Sequence, residues 1–119
     1  MKRTLLLACC LAQFTTGALA QGPCGQGVRI MSAYYSEGRH TASGQRFNPN
    51  GLTAAHRTLP FGTRLVVTNP HSGKSVTVTI NDRGPFVRGV GLDLSAGAAK
   101  MIGMRGTGAV CMAKAGHAG

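Results

Sequence analysis

Carboxylates are scarce in this chain, and that scarcity organises its possible chemistry. Among 119 residues there are three acids, Glu37, Asp82 and Asp93, against 13 Lys plus Arg. Any acid–base mechanism run by carboxylates must choose among these three. Glu37 lies in Ser36-Glu37-Gly38-Arg39, which reads as a surface loop. Asp82 sits in Asn81-Asp82-Arg83-Gly84-Pro85, at the end of a strand-like run, where it can be a turn former or an acid. Asp93 alternates with Leu92 and Leu94, so it projects away from the leucine side just ahead of a helix. It can be an acid, or a helix-start residue satisfying backbone N–H groups. His56 follows the small, apolar Leu52-Thr53-Ala54-Ala55 and can be structural or catalytic. His40, His71 and His117 fall in loop or tail contexts, so no metal site is expected. No nucleophile elbow, phosphate loop or dinucleotide fingerprint is present, and no cofactor is expected.

These groups need a frame, and the composition points to short strands and tight turns. Eighteen glycines and five prolines accompany many Thr and Val residues. The clearest strand is Ser75–Asn81, where Val76, Val78 and Ile80 alternate with Thr77 and Thr79. Thr63–Asn69 precedes it, and Pro70-His71-Ser72-Gly73 joins the two as a hairpin. Gly27–Tyr35, Val90–Leu94 and Ala109–Ala113 read as further strands. One helix is expected over Ala96–Ile102, with Ser95 as N-cap and Gly103 as its stop. The expected fold is a compact all-β barrel with one or two short helices covering its openings.

The N-terminus reads as an export signal over residues 1–20. Lys2 and Arg3 form a basic start, Thr4–Phe14 is largely apolar, and Ala18-Leu19-Ala20 makes a small-residue exit before Gln21. The apolar part falls short of the roughly 20 residues a membrane span needs, and no later stretch supplies a transmembrane segment. Leu6-Leu7-Ala8-Cys9 offers the alternative of lipid attachment at Cys9. Cleavage after Ala20 leaves a domain over 21–119, in the periplasm or outside the cell, with two cysteines, Cys24 and Cys111. An even count in an oxidising compartment suggests that they form a disulfide.

Without Lys2 and Arg3 the domain keeps 11 basic residues against 3 acids, about +8. The basic residues are scattered singly, and export argues against nucleic acid as a partner. A polyanionic envelope polymer suits this field, as does simple solubility. Candidates for stacking on a sugar are Tyr34, Tyr35, Phe47, Phe61 and Phe86, several of which are expected in the core. Tyr34 and Tyr35 are adjacent, so within a strand only one of them can face a groove.

Four blocks in order carry a family likeness. They are Ala42-Ser43-Gly44-Gln45-Arg46-Phe47-Asn48, Leu52-Thr53-Ala54-Ala55-His56-Arg57-Thr58-Leu59-Pro60-Phe61-Gly62-Thr63, Asn81-Asp82-Arg83-Gly84-Pro85-Phe86 and Leu92-Asp93-Leu94-Ser95. Together they resemble the rare lipoprotein A (RlpA) family from about Ser32 to Ala113. The resemblance implies a six-stranded double-psi β-barrel, a fold shared with expansins, that acts as a monomer on peptidoglycan glycan strands by lytic transglycosylation. It makes Asp82 and Asp93 the groove carboxylates, with Asp93 the preferred acid, and matches His56 to the family's histidine. It places Gln45, Asn48, Thr53, Arg83 and Tyr35 in contact with substrate. Where many members carry Glu and Asp, this chain has Gln45 and Asn48, and an amide cannot carry the catalytic proton. The alternative is therefore an expansin-like module that binds or loosens the wall without cutting it.

Overall fold

The computed structural model describes residues 24–25, 27–38 and 40–115. The expected export segment, Cys9, Arg39 and His117 lie outside them. Six strands follow in order: β1 (Val28–Tyr35), β2 (Thr53–Ala55), β3 (Arg64–Thr68), β4 (Ser75–Asp82), β5 (Leu92–Ser95) and β6 (Gly108–Lys114). A single helix among the described residues, α1 (Ala96–Met101), lies between β5 and β6. The strands close into a barrel in the order β1-β5-β2-β4-β3-β6. The β1–β5 and β2–β4 pairs are parallel, and the other four are antiparallel. Closure leaves no unpaired sheet edge, which suits a Gly-rich chain of short strands.

The core follows from period-two patterning. In β4, Val76, Val78 and Ile80 are buried while Thr77 and Thr79 lie half-buried on the other side. Leu65 and Val67 of β3, Leu92 and Leu94 of β5 and Val110 of β6 complete the interior. Burying each such side chain contributes about 1.5–3 kcal/mol. Ala98, Ala99 and Ile102 cap one end of the barrel. The helix starts where Ser95 Oγ accepts from Ala98 N at 3.2 Å. It stops at Gly103 (φ +72°), where Gly103 N donates to Lys100 O and Met104 N to Ala99 O. The turn after β3 fastens this stop, because Asn69 Nδ2 and Ser72 Oγ both donate to Ile102 O at 2.8 Å.

The expected strands are present with ends shifted by one or two residues. The strand missed in the sequence is β2, three small residues with no room for alternation to show. It is nevertheless central, hydrogen-bonded to β4 on one side and β5 on the other. The disulfide is present: Cys24, just before β1, bonds to Cys111 of β6 with Cα atoms 5.3 Å apart.

Candidate active site

The site is built around β2. Its Ala55 pairs with Asp93 of β5 on one side and with Asp82 of β4 on the other. Asp93 pairs in turn with Ala33 of β1. Residues paired across a sheet point to the same face, so Ala33, Asp93, Ala55 and Asp82 form one row. The neighbouring row through Ala54, Leu94 and Ile80 is fully buried, so the row with both carboxylates faces outward. On this row Ala55, which is buried, and Ala33, which is half-buried, contribute only methyl groups between and beside the acids.

Asp82 reaches that row through a bulge. Strict alternation after Val76, Val78 and Ile80 would point Asp82 into the core. Ala54 pairs with Ile80 but Ala55 pairs with Asp82, so Asn81 is an extra residue in β4. The extra residue reverses the phase and turns Asp82 outward.

The two carboxylates have opposite surroundings. Three donors converge on Asp82: Ala42 N and Arg83 N reach Oδ1 at 2.8 Å, and Tyr35 Oη reaches Oδ2 at 3.3 Å. Tyr35 is itself held by stacking on Phe47, with centroids 4.7 Å apart and planes 14° from parallel. Burial and the nearby Asp82 charge raise the phenol's pKa, so Tyr35 stays a donor. Asp93, by contrast, has a buried Oδ1 with no hydrogen-bond partner. Burial, then the charge of Asp82, push its pKa up from 3.8 to about 6.

His56 continues from β2, its backbone N donating to Asp82 O at 3.2 Å. Its Nδ1 accepts from both Thr58 N and Leu59 N at 3.1 Å. Protonation would have to occur at that occupied nitrogen, so the ring is held neutral with its hydrogen on Nε2. Desolvation and the charges of Arg57 and Arg83 lower its pKa in the same direction. Arg83 Nη1 donates to His56 O (3.2 Å) and Leu59 O (2.8 Å), and its guanidinium lies 4.0 Å from the centre of the Phe61 ring. Arg83 thus braces the His56–Phe61 loop.

The remaining candidates lie around this centre with local partners. Gln45 Oε1 accepts from Asn81 Nδ2 at 3.0 Å, and Asn48 Oδ1 closes a short turn by accepting from Asn50 N at 2.9 Å. The Thr53 hydroxyl is buried without a partner, and Glu37 is exposed in the loop after β1. Sequence reasoning missed Ala55, the bulge at Asn81 and the Ala42 amide. The only signal for them was that the Ala-Ser-Gly and Asn-Asp-Arg blocks must meet. Among the described residues no three metal-ligating side chains stand together.

A family model described as "Lytic transglycolase" matches residues 28–114, the whole barrel. A protein of Nostoc sp. named "Probable endolytic peptidoglycan transglycosylase RlpA" is 65% identical over 71 residues, covering 60% of this chain and 19% of that protein. The "Endolytic peptidoglycan transglycosylase RlpA" of Pasteurella multocida is 52% identical over 81 residues, 66% of this chain and 28% of its own length. The chain therefore spans under a third of these two curated relatives. Among solved structures, an expansin of Clavibacter michiganensis superposes with a TM-score of 0.64 at 19% identity, covering 79% of this chain and 52% of that one. The Streptomyces papain inhibitor gives 0.56 at 19%, covering 76% and 96%. These two likenesses speak for the fold alone, whereas the family match spans every strand that carries the two acids. The chain belongs to the RlpA-like double-psi β-barrel family of lytic transglycosylases.

Proposed function

We propose that this domain cleaves peptidoglycan glycan strands as an endolytic lytic transglycosylase, with Asp93 as its acid and then its base. The observation that carries this reading is the pair of unlike carboxylates on one outward row, one tethered by three donors and one buried with an unpartnered oxygen. A carboxyl raised to about 6 is partly protonated near neutral pH, as a general acid must be.

In this mechanism Asp93 gives its proton to the glycosidic oxygen as the bond from that oxygen to C1 of the muramic residue breaks. The 6-hydroxyl of the same residue attacks C1, and its proton passes to the Asp93 carboxylate. The product is a 1,6-anhydro end, the acid is regenerated, and no water is consumed. Asp82 supplies fixed negative charge facing the cationic character at C1, and Tyr35 orients it. His56, neutral with Nε2–H, serves as a hydrogen-bond donor to substrate and not as a base. Both carboxylates, His56 and Tyr35 come from one chain, so a monomer suffices. Gln45 and Asn48 contribute polar contacts at the rim, with Thr53 beneath it, while Arg83 holds the loop that presents His56. Because peptidoglycan lies outside the cytoplasmic membrane, the reading agrees with export through residues 1–20 to the periplasm or beyond.

The test is mass spectrometry of products after incubating the folded domain with peptide-free glycan strands. Anhydro-muramic ends should form, and Asp93→Asn should slow their formation by about 10²–10⁴-fold, the usual contribution of a general acid. A wild-type protein that sediments with the strands yet yields no anhydro ends sinks the enzyme reading and leaves a binding module.

A further inference from the structure

The five aromatic side chains of the barrel are not equivalent, and their placement singles out one of them. Phe47 is buried under Tyr35, and Tyr35 is committed to Asp82. Phe61 already has the Arg83 guanidinium over its ring. Tyr34 alternates with Tyr35 along β1 and points to the other side of the strand. Phe86 is 79% exposed, more than any other large hydrophobic side chain among the described residues. Leaving such a ring in water forgoes the stabilisation that burial of a phenylalanine ordinarily contributes.

Phe86 is also held in a fixed setting. It stands four residues after Asp82 and seven before Asp93, in the loop that connects the two carboxylates. Gly84 and Pro85 beneath it are buried. A Cβ added at Gly84 would lie 3.5 Å from the Phe86 ring, so the ring packs against the bare Gly84 backbone on one side. Downstream, Arg57 Nη2 donates to Val90 O at 2.9 Å and Gly91 N donates to Met31 O at 2.9 Å. The loop is thereby tied to the His56 segment and to β1.

We infer that Phe86 is a stacking platform for a pyranose ring of the glycan strand, a subsite adjoining the carboxylates. The inference rests on the glycan reading above and deepens it. Pyranose C–H bonds match the negative face of an aromatic ring. Arg88 and Arg57, both exposed on the same pair of segments, supply positive charge for the carboxylate of a muramic residue. One ring and the neighbouring Val87 form a small apolar surface, which suits a single sugar better than a membrane.

The test measures sedimentation of peptide-free glycan strands with the Asp93→Asn protein, which on the reading above turns them over too slowly to matter during the assay, with and without Phe86→Ala or Phe86→Trp. Phe86→Ala should weaken binding about tenfold, equivalent to about 1.4 kcal/mol, and Phe86→Trp should retain it. Because the ring is exposed, melting temperatures should not fall. Equal binding by Phe86→Ala overturns the inference, as does a parent that fails to bind the strands. Loss of binding to anionic phosphatidylglycerol vesicles with glycan binding unchanged also overturns it, in favour of a membrane contact. Weakened strand binding in a protein whose wild type forms no anhydro ends would support the subsite while the catalytic reading fell.

Discussion

Asp82 and Asp93 flank Ala55 from opposite sides and point to the same outer face of the barrel. Two strand spacings, about 10 Å, separate their backbones, with a single methyl group between them. The arrangement lets one carboxylate bias the other. Asp82 has its oxygens occupied by three donors, while Asp93 sits half-buried in the field of that charge. The difference between them follows from burial and hydrogen-bond supply, since both groups are the same amino acid.

The raised pKa of Asp93 predicts a pH dependence with opposite consequences for activity and for the Asn variant. Cleavage should decline as pH rises above about 6, because the acid loses its proton. Its folded pKa lies above the ordinary 3.8, so its stabilising contribution is complete below that value and lost as pH rises through 6. Asp93→Asn should therefore melt higher than wild type at pH 7.5 and equally near pH 4. The gain should be a few degrees, about 1 kcal/mol once solvent screening of a half-exposed group is discounted. Calorimetry at the two pH values measures it, and an unchanged difference would refute the shift.

Amides at positions 45 and 48 should not limit catalysis. Their side-chain oxygens serve as acceptors to Asn81 and Asn50, and a carboxylate oxygen can do the same. Gln45→Glu with Asn48→Asp should leave the rate of anhydro-end formation within about threefold, well below the 10²-fold minimum of a lost acid or base. A gain above a hundredfold would show that the reaction needs acids there.

Gly97→Ala should destabilise the domain even though alanine favours helices by about 1 kcal/mol. A Cβ at position 97 would lie 2.8–2.9 Å from the Asn50 backbone, which cannot swing aside as a side chain can. Gly97 N also donates to Pro49 O at 2.7 Å, fixing the approach. Overpacking of this kind costs about 1–3 kcal/mol, so after the propensity gain the net loss should reach up to about 2 kcal/mol. Chemical denaturation would show a lower midpoint, and a higher one would contradict the contact.

Reduction of the disulfide should cost more than any of these substitutions. Cys24 and Cys111 are 87 residues apart, and a loop of that size corresponds to about 4–5 kcal/mol in the chain-entropy view, as an upper figure. The double variant Cys24→Ser with Cys111→Ser should melt at least 10 °C lower, at about 4–8 °C per kcal/mol for a domain this small. Differential scanning calorimetry with and without reductant provides the comparison.

Much of this protein is decided locally and can be read from its residues. Alternation of Val76, Val78 and Ile80 with threonines makes β4, and Ser95 with Gly103 delimits α1, because these signals need only neighbours in the chain. The scarcity of acids narrowed the chemistry to Asp82, Asp93 and Glu37, and four ordered blocks pointed to the family. Other features depend on distant partners. Three residues, Thr53–Ala55, carry no periodicity of their own and become a strand only because β4 and β5 leave a gap they fill. The phase of Asp82 is likewise invisible in the chain. Continued alternation would bury it, and pairing of Ala55 past Asn81 turns it outward to meet Asp93. The difference between the two acids arises last, since donors from Ala42 and Tyr35 reach Asp82 only once the barrel closes. Residue type determined which groups could do the chemistry. Tertiary structure decided which acid is held by hydrogen bonds and which keeps a buried oxygen without a partner, because burial and hydrogen bonding are properties of the assembled barrel and not of the chain.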